Sequence, residues 1–117
     1  FYAGDSEGSL LKFKAPKEWR KKCEFEFEYK KKGIHKFGLI QVLNEWKESC
    51  TFTIGYDQYV RGYGARQDEF FCMSNPNKVL YTSICWDPEE KLLYLSDELG
   101  YIYVAYVYMG EKYTIQK

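Results

Sequence analysis

The amino-acid sequence predicts an all-β fold, and three observations carry that expectation. Aromatic residues make up 20% of the 117 residues, with 12 Tyr and 8 Phe, and rings together with β-branched side chains favour pleated, half-buried surfaces. Gly, Pro, Asn and Asp interrupt the apolar runs about every ten residues, the rhythm of short strands and turns. Residues 23–30, Cys-Glu-Phe-Glu-Phe-Glu-Tyr-Lys, alternate without a break. That pattern places Cys23, Phe25, Phe27 and Tyr29 on one face and Glu24, Glu26, Glu28 and Lys30 on the other.

Taken in order, the elements follow from the punctuation. The chain opens inside a strand pattern at Phe1-Tyr2-Ala3 without an initiator Met, so a piece of a longer polypeptide is expected. Residues 9–14, between Gly8 and Pro16, read as the next strand. Pro16 suits a first helical turn, so residues 16–22 read equally as a helical turn or a loop. The alternating strand at 23–30 has a charged outer face followed by Lys31 and Lys32, which suits a protected sheet edge. Strands at 38–44, 50–55, 59–63 and 70–74 are bounded by Gly38, Gly55, Gly64 and Asn75-Pro76. Asp87-Pro88 closes 81–86, Asp97 closes 92–96, Gly100 precedes 101–108 and Gly110 precedes 112–116. Strands this short and regular point to a sandwich, barrel or propeller.

Composition removes several function classes. With 45% hydrophobic and 29% charged residues the chain is too apolar for a disordered tail. Its length suits one small domain or part of a larger one. Seventeen basic residues balance 17 acidic ones, so no whole-chain field draws it to nucleic acid or anionic lipid. No apolar window reaches the roughly 18 residues of a membrane span, and the N-terminus lacks a secretory profile, so a soluble, cytoplasmic protein with no membrane partner is expected. Cys23, Cys50, Cys72 and Cys85 include no Cys-x-x-Cys pair, which argues against a zinc site. Each lies in an apolar run and is expected as a reduced core cysteine.

Three segments share one pattern: apolar residues, a small or polar pair, a turn residue, then an apolar strand ending in a ring. They are Phe1 to Phe13, Phe52 to Tyr63 and Tyr94 to Ala105. With Glu7, Asp57 and Leu99 in register the spacings are 50 and 42 residues, close to the roughly 40–45 of a four-stranded propeller blade. Gly4-Asp5-Ser6-Glu7-Gly8 with Leu10 and Phe13, and Ser96-Asp97-Glu98-Leu99-Gly100 with Ile102 and Val104, form two of these turns. Thr82-Ser83-Ile84-Cys85-Trp86-Asp87-Pro88 supplies a preceding strand and its Asp-Pro turn, and Gly33-Ile34-His35 with Ile40 and Val42 stands before the second copy.

On these residues the chain resembles the WD40-repeat family. The resemblance implies antiparallel four-stranded blades of a WD40-like β-propeller, forming an incomplete part of a larger ring. Residues 1–32 would be the end of one blade with a basic linker at 12–22, residues 33–74 the second blade and 75–117 the third. It further implies that His35, Asp57, Thr53 and Tyr63 form the family's buried hydrogen-bonded set in the second blade, with the first and third lacking it. No Trp-Asp dipeptide ends any copy; Phe13, Tyr63 and Ala105 hold the Trp position. In the family, the residue before the turn acid often touches partners, which implies Ser6, Tyr56 and Glu98 as partner-binding positions.

His35 is the only histidine, so paired-His metal sites are excluded and any triad would need it as base. The acidic run Asp87, Glu89, Glu90 reads as a solvated turn, and Gly62-Tyr63-Gly64 lacks the remaining signature of a phosphate loop. No catalytic, cofactor or metal residue is expected, and the chain is expected not to be an enzyme. A second candidate surface is basic and aromatic: Lys12, Lys14, Lys17, Trp19, Arg20, Lys21 and Lys22. Such a segment suits acidic protein surfaces or nucleic-acid backbones and stacked bases.

The leading expectation is a non-catalytic protein–protein interaction scaffold within a multi-subunit complex, joined to the remainder of a longer propeller chain. Its richness in Lys, Tyr and Phe suggests a cytoskeletal or ciliary setting. The alternative is a compact all-β module that binds nucleic acid through residues 12–22.

Overall fold

The structure, a computed structural model, describes residues 1–14, 26–45, 49–66 and 68–107, with backbone alone for 111–116. These residues form eleven strands in three antiparallel sheets and no helix. The first sheet holds β1 (Tyr2–Gly4), β2 (Leu10–Lys14) and β3 (Glu26–Lys31) in that order. The second is β4 (Leu39–Glu45), β5 (Cys50–Gly55), β6 (Tyr59–Tyr63) and β7 (Glu69–Ser74). The third repeats that order with β8 (Tyr81–Asp87), β9 (Leu92–Asp97), β10 (Ile102–Tyr106) and β11 (Glu111–Gln116). Residues 16–22, read as helical turn or loop, lie outside the described residues. Among the described residues no helix is long and apolar enough to cross a membrane.

The three sheets share a turn. Gly8, Gln58 and Gly100 all adopt left-handed backbone, at φ 81°, 70° and 87°, and each donates its N–H to the carbonyl three residues earlier, on Asp5, Gly55 and Asp97. These turns fall 50 and 42 residues apart, the same register as Glu7, Asp57 and Leu99. Two of these turns also join the segment that follows their sheet. The Gly8 carbonyl accepts the N–H groups of Ile34 and His35 at 3.0 and 3.3 Å, and the Gln58 carbonyl accepts that of Asn75 at 2.9 Å.

Alternation along β5 sets the layers. Cys50, Phe52 and Ile54 turn toward the third sheet, where they pack with Ile84, Trp86, Leu93 and Leu95, and Phe52 stacks on Trp86 with ring centroids 5.1 Å apart. Burying each large apolar side chain in this layer contributes about 1.5–3 kcal/mol. Between the first and second sheets a smaller cluster joins Leu10, Ile34 and Tyr63, flanked by Tyr2, Leu39 and Val42. The edge strands β4 and β8 are clasped by one side chain: Gln41 Oε1 accepts the Ile84 N–H at 3.1 Å and its Nε2 donates to the Ile84 carbonyl at 3.2 Å.

Two expectations need correction. The register of β2 against β3 shifts between Lys12 and Phe13, whose partners are Tyr29 and Phe27, so Glu28 is an extra residue. A bulge of this kind reverses the alternation. Tyr29 therefore meets Tyr2 on the side toward the second sheet, while Phe27 meets Phe13 on the outer side and is 54% exposed. The single apolar face of Cys23, Phe25, Phe27 and Tyr29 does not form in this way; Cys23 and Phe25 lie outside the described residues. The second correction concerns the cysteines. Cys50 is buried, but Cys72 and Cys85 are exposed. Cys72 lies beside Arg61, whose Nη1 donates to its Sγ at 3.4 Å, and Cys85 points to the face of β8 opposite the buried Trp86.

Candidate functional site

The turn joining β5 to β6 organises the richest cluster of polar and aromatic groups. Gly55 takes the position that Asp5 and Asp97 hold in the other two turns, because a β-carbon there would lie 2.4 Å from His35 Cγ. The imidazole fills that space. Fully buried, it meets Asp57 Oδ1 through Nδ1 at 2.7 Å and Thr53 Oγ1 through Nε2 at 2.7 Å. Burial lowers the His35 pKa below its ordinary 6.5, outweighing the opposing pull of the Asp57 carboxylate. A neutral ring bonded to a carboxylate donates from Nδ1, so Nε2 accepts the Thr53 hydroxyl proton. Asp57 Oδ1 also accepts the Tyr59 N–H at 3.2 Å, which fixes the turn.

His35, Asp57 and Thr53 thus meet as the resemblance implied, whereas Tyr63 packs apart from them with Leu10 and Ile34 under the Lys31 ammonium, 4.4 Å above its ring. The third sheet carries a different set in the same region, which sequence reasoning missed. Tyr103 Oη and Asn75 Nδ2 both donate to Asp97 Oδ2, at 2.7 and 3.2 Å, and Asn77 Nδ2 donates to Tyr103 Oη at 2.7 Å. Asp97 Oδ1 accepts the N–H groups of Leu99 and Tyr101. Burial pushes the Asp97 carboxyl up, but these bonds outweigh it and hold its pKa below 3.8. Burial and the Asp97 carboxylate together push the Tyr103 hydroxyl to about 12. In the first sheet, Asp5 Oδ1 accepts the N–H groups of Glu7 and Ser9.

Around this frame lies an open groove of about 540 Å³ whose rim carries Lys36, Phe37 and Tyr56 and whose floor includes Asp57, Tyr59 and Arg61. Phe37 is 81% exposed and sits at φ 68°, in left-handed backbone. A bulky side chain held there is strained and projects from the surface. Tyr56 is 51% exposed, and its N–H donates to the Gly38 carbonyl at 3.0 Å, which keeps it next to Phe37. Arg61 bonds Glu69 at 2.7 Å and lies 5.0 Å over the Tyr59 ring.

Of the residues expected to bind partners, Ser6 and Tyr56 come together around Gly38, since the Ser6 carbonyl oxygen lies 3.0 Å from where a Gly38 β-carbon would stand. Glu98 occupies the matching turn of the third sheet, exposed, with its N–H on the Leu80 carbonyl. Lys12 is engaged within the first sheet, 3.2 Å from Glu28 and over the rings of Tyr2 and Tyr29. Lys14 is exposed at the end of β2. Lys17, Trp19, Arg20, Lys21 and Lys22 lie outside the described residues. Phe37 was missed, although a ring between Lys36 and Gly38 and outside any strand pattern was a visible signal.

The only histidine of the chain is fully buried. The Asp87 turn is what its sequence suggested, with Oδ1 accepting the N–H groups of Glu89 and Glu90. Among the described residues no three His, Cys, Asp or Glu side chains are grouped to hold a metal ion. No protein-family model matches the chain, and no curated protein matches it at a significant level.

Proposed function

We propose that the chain is a non-catalytic interaction scaffold of the cytoplasm, the end of one blade and the two following blades of a WD40-like propeller, and that it binds other proteins at the turn rim. The observation that carries this reading is the pair of exposed rings, Phe37 and Tyr56, mounted on a turn braced from beneath by His35 and Asp57. Large rings exposed on a rigid support lose little conformational entropy on docking and are the residue type that dominates interface energetics. The shared 50- and 42-residue turn register and the repeated joints made by Gly8 and Gln58 support the blade reading. Engagement of Lys12 with Glu28 and two rings weakens the nucleic-acid alternative at that position.

Affinity capture with the full chain tests it. Replacing Phe37 by Asn, which tolerates left-handed backbone, together with Tyr56→Ala is expected to reduce partner capture about 30-fold, the effect of losing about 2 kcal/mol. Both side chains are exposed, so thermal stability should stay nearly unchanged. Undiminished capture by the double variant would refute the rim. Binding to random-sequence nucleic acid that falls steeply with salt would favour the alternative.

A further inference from the structure

The loop entering β4 is basic. Residues 30–38 hold four lysines and no acidic residue. Two of these lysines are engaged within the fold, Lys30 at 3.7 Å from Asp5 and Lys31 over the Tyr63 ring. Lys32 and Lys36 are exposed. So is Lys78, whose carbonyl accepts the Gln58 side-chain amide at 2.9 Å, which brings it to the turn between β5 and β6. Among the described residues no carboxylate pairs with any of these three ammonium groups.

The groove beside this loop satisfies its own acidic charge. Asp57 Oδ1 is taken by His35 and the Tyr59 N–H, and Oδ2 faces the Lys36 N–H at 3.4 Å and Arg61 Nη2 at 3.9 Å. Arg61 in turn holds Glu69 at 2.7 Å. The charge left over at the groove is therefore the Lys36 ammonium, in the company of the exposed rings of Phe37 and Tyr56. Exposed rings beside a surplus cation suit a ligand that brings both an apolar side chain and negative charge.

We infer that this groove takes an acidic segment of a partner polypeptide. One aliphatic or aromatic side chain of that segment packs against Phe37 and Tyr56, and flanking Asp or Glu side chains meet Lys36 and Lys32. The rings supply most of the affinity, and the two ammonium groups at the margin select the partner by charge. A nucleic acid fits less well. Its phosphates follow one another at every unit, so some would lie against the Asp57 carboxylate, whereas a peptide can set an uncharged residue there. The inference rests on the proposed turn rim and adds the chemistry of what that rim binds.

NMR titration of the full chain with two pools of blocked hexapeptides tests it. Both pools carry Leu, Ile, Phe or Tyr at the two central positions; one has Asp or Glu at the other four, and the other has Lys there. The acidic pool is expected to shift the amide resonances of Phe37, Tyr56 and Gln58 and to bind about tenfold more tightly than the Lys pool, a preference that shrinks as salt rises. Reversing both charges, Lys32→Glu with Lys36→Glu, is expected to invert the preference, a gain of binding that an unfolded variant could not give. Equal binding of the two pools, a preference that the double variant leaves unmoved, or no shift at these amides with either pool overturns the inference. Larger shifts at the same amides from a random-sequence single-stranded oligonucleotide also overturn it, in favour of nucleic acid. The rim itself is judged separately, by capture with the variant carrying Phe37→Asn and Tyr56→Ala, so it can stand when the acidic chemistry falls.

Discussion

Gly8→Ala is expected to destabilise the chain by more than about 4 kcal/mol, beyond the usual range for a single substitution. Two effects combine there. At φ 81° an Ala pays the left-handed penalty of about 1–2 kcal/mol, and its β-carbon would stand 1.5 Å from the His35 carbonyl oxygen. That oxygen is backbone, so the loop entering β4 must move, and the bonds from the Ile34 and His35 N–H groups to the Gly8 carbonyl break. Gly100 supplies the control. It sits at the matching turn with φ 87° and nothing within 4 Å of an added β-carbon, so Gly100→Ala should show the backbone penalty alone. Denaturant unfolding of the two variants measures the difference; equal losses would mean that the first and second sheets are not joined at Gly8.

Replacing His35 is the second large effect. His35→Ala removes a fully buried ring and leaves Asp57 Oδ1 and the Thr53 hydroxyl short of a partner, and about 3 kcal/mol of stability should be lost. The same residue sets a pH dependence. Its folded pKa lies below the ordinary 6.5, so between the two values the unfolded chain binds more protons. Its contribution is therefore complete above about pH 6.5 and falls as the pH drops toward the folded pKa, by at most about 1.4 kcal/mol per pH unit. Asp97 works in a separate window: its pKa is held below 3.8, so its contribution persists above that value and is lost on further acidification. Stability measured from pH 8 to 5 should decline for the wild-type chain and flatten for His35→Gln. A wild-type profile that is flat, or that rises toward pH 5, would contradict a buried neutral imidazole.

Much of the fold is legible in residue type and punctuation. Cys50–Gly55 and Tyr59–Tyr63 begin and end where Gly55, Asp57 and Gly64 imply, since turn residues act locally. The meeting of His35, Asp57 and Thr53 is implied by the family resemblance alone, and composition and spacing do not give it. What stays hidden depends on geometry at a distance. The bulge at Glu28 comes from pairing with β2, and no property of the perfect alternation in residues 23–30 announces it. The clasp of Gln41 on Ile84 joins residues 43 apart. Asn75, Asp97 and Tyr103 do by a different chemistry what His35 and Asp57 do in the neighbouring sheet, so a search for the missing histidine passes over them. Phe37 lies visibly outside any strand pattern, but its left-handed backbone and its exposure are not written in residue type.

Photo-crosslinking inside cells tests the central claim most directly, with the photo-reactive residue p-benzoylphenylalanine placed at Phe37 and Tyr56 in turn. The control position is Glu89, in the turn between β8 and β9, at the opposite end of the sheet from the β9 to β10 turn. The scaffold account predicts the same discrete protein adducts from Phe37 and Tyr56 and none of them from Glu89. Adducts from Glu89 alone, adducts common to all three positions, or crosslinks to nucleic acid in place of protein would contradict it.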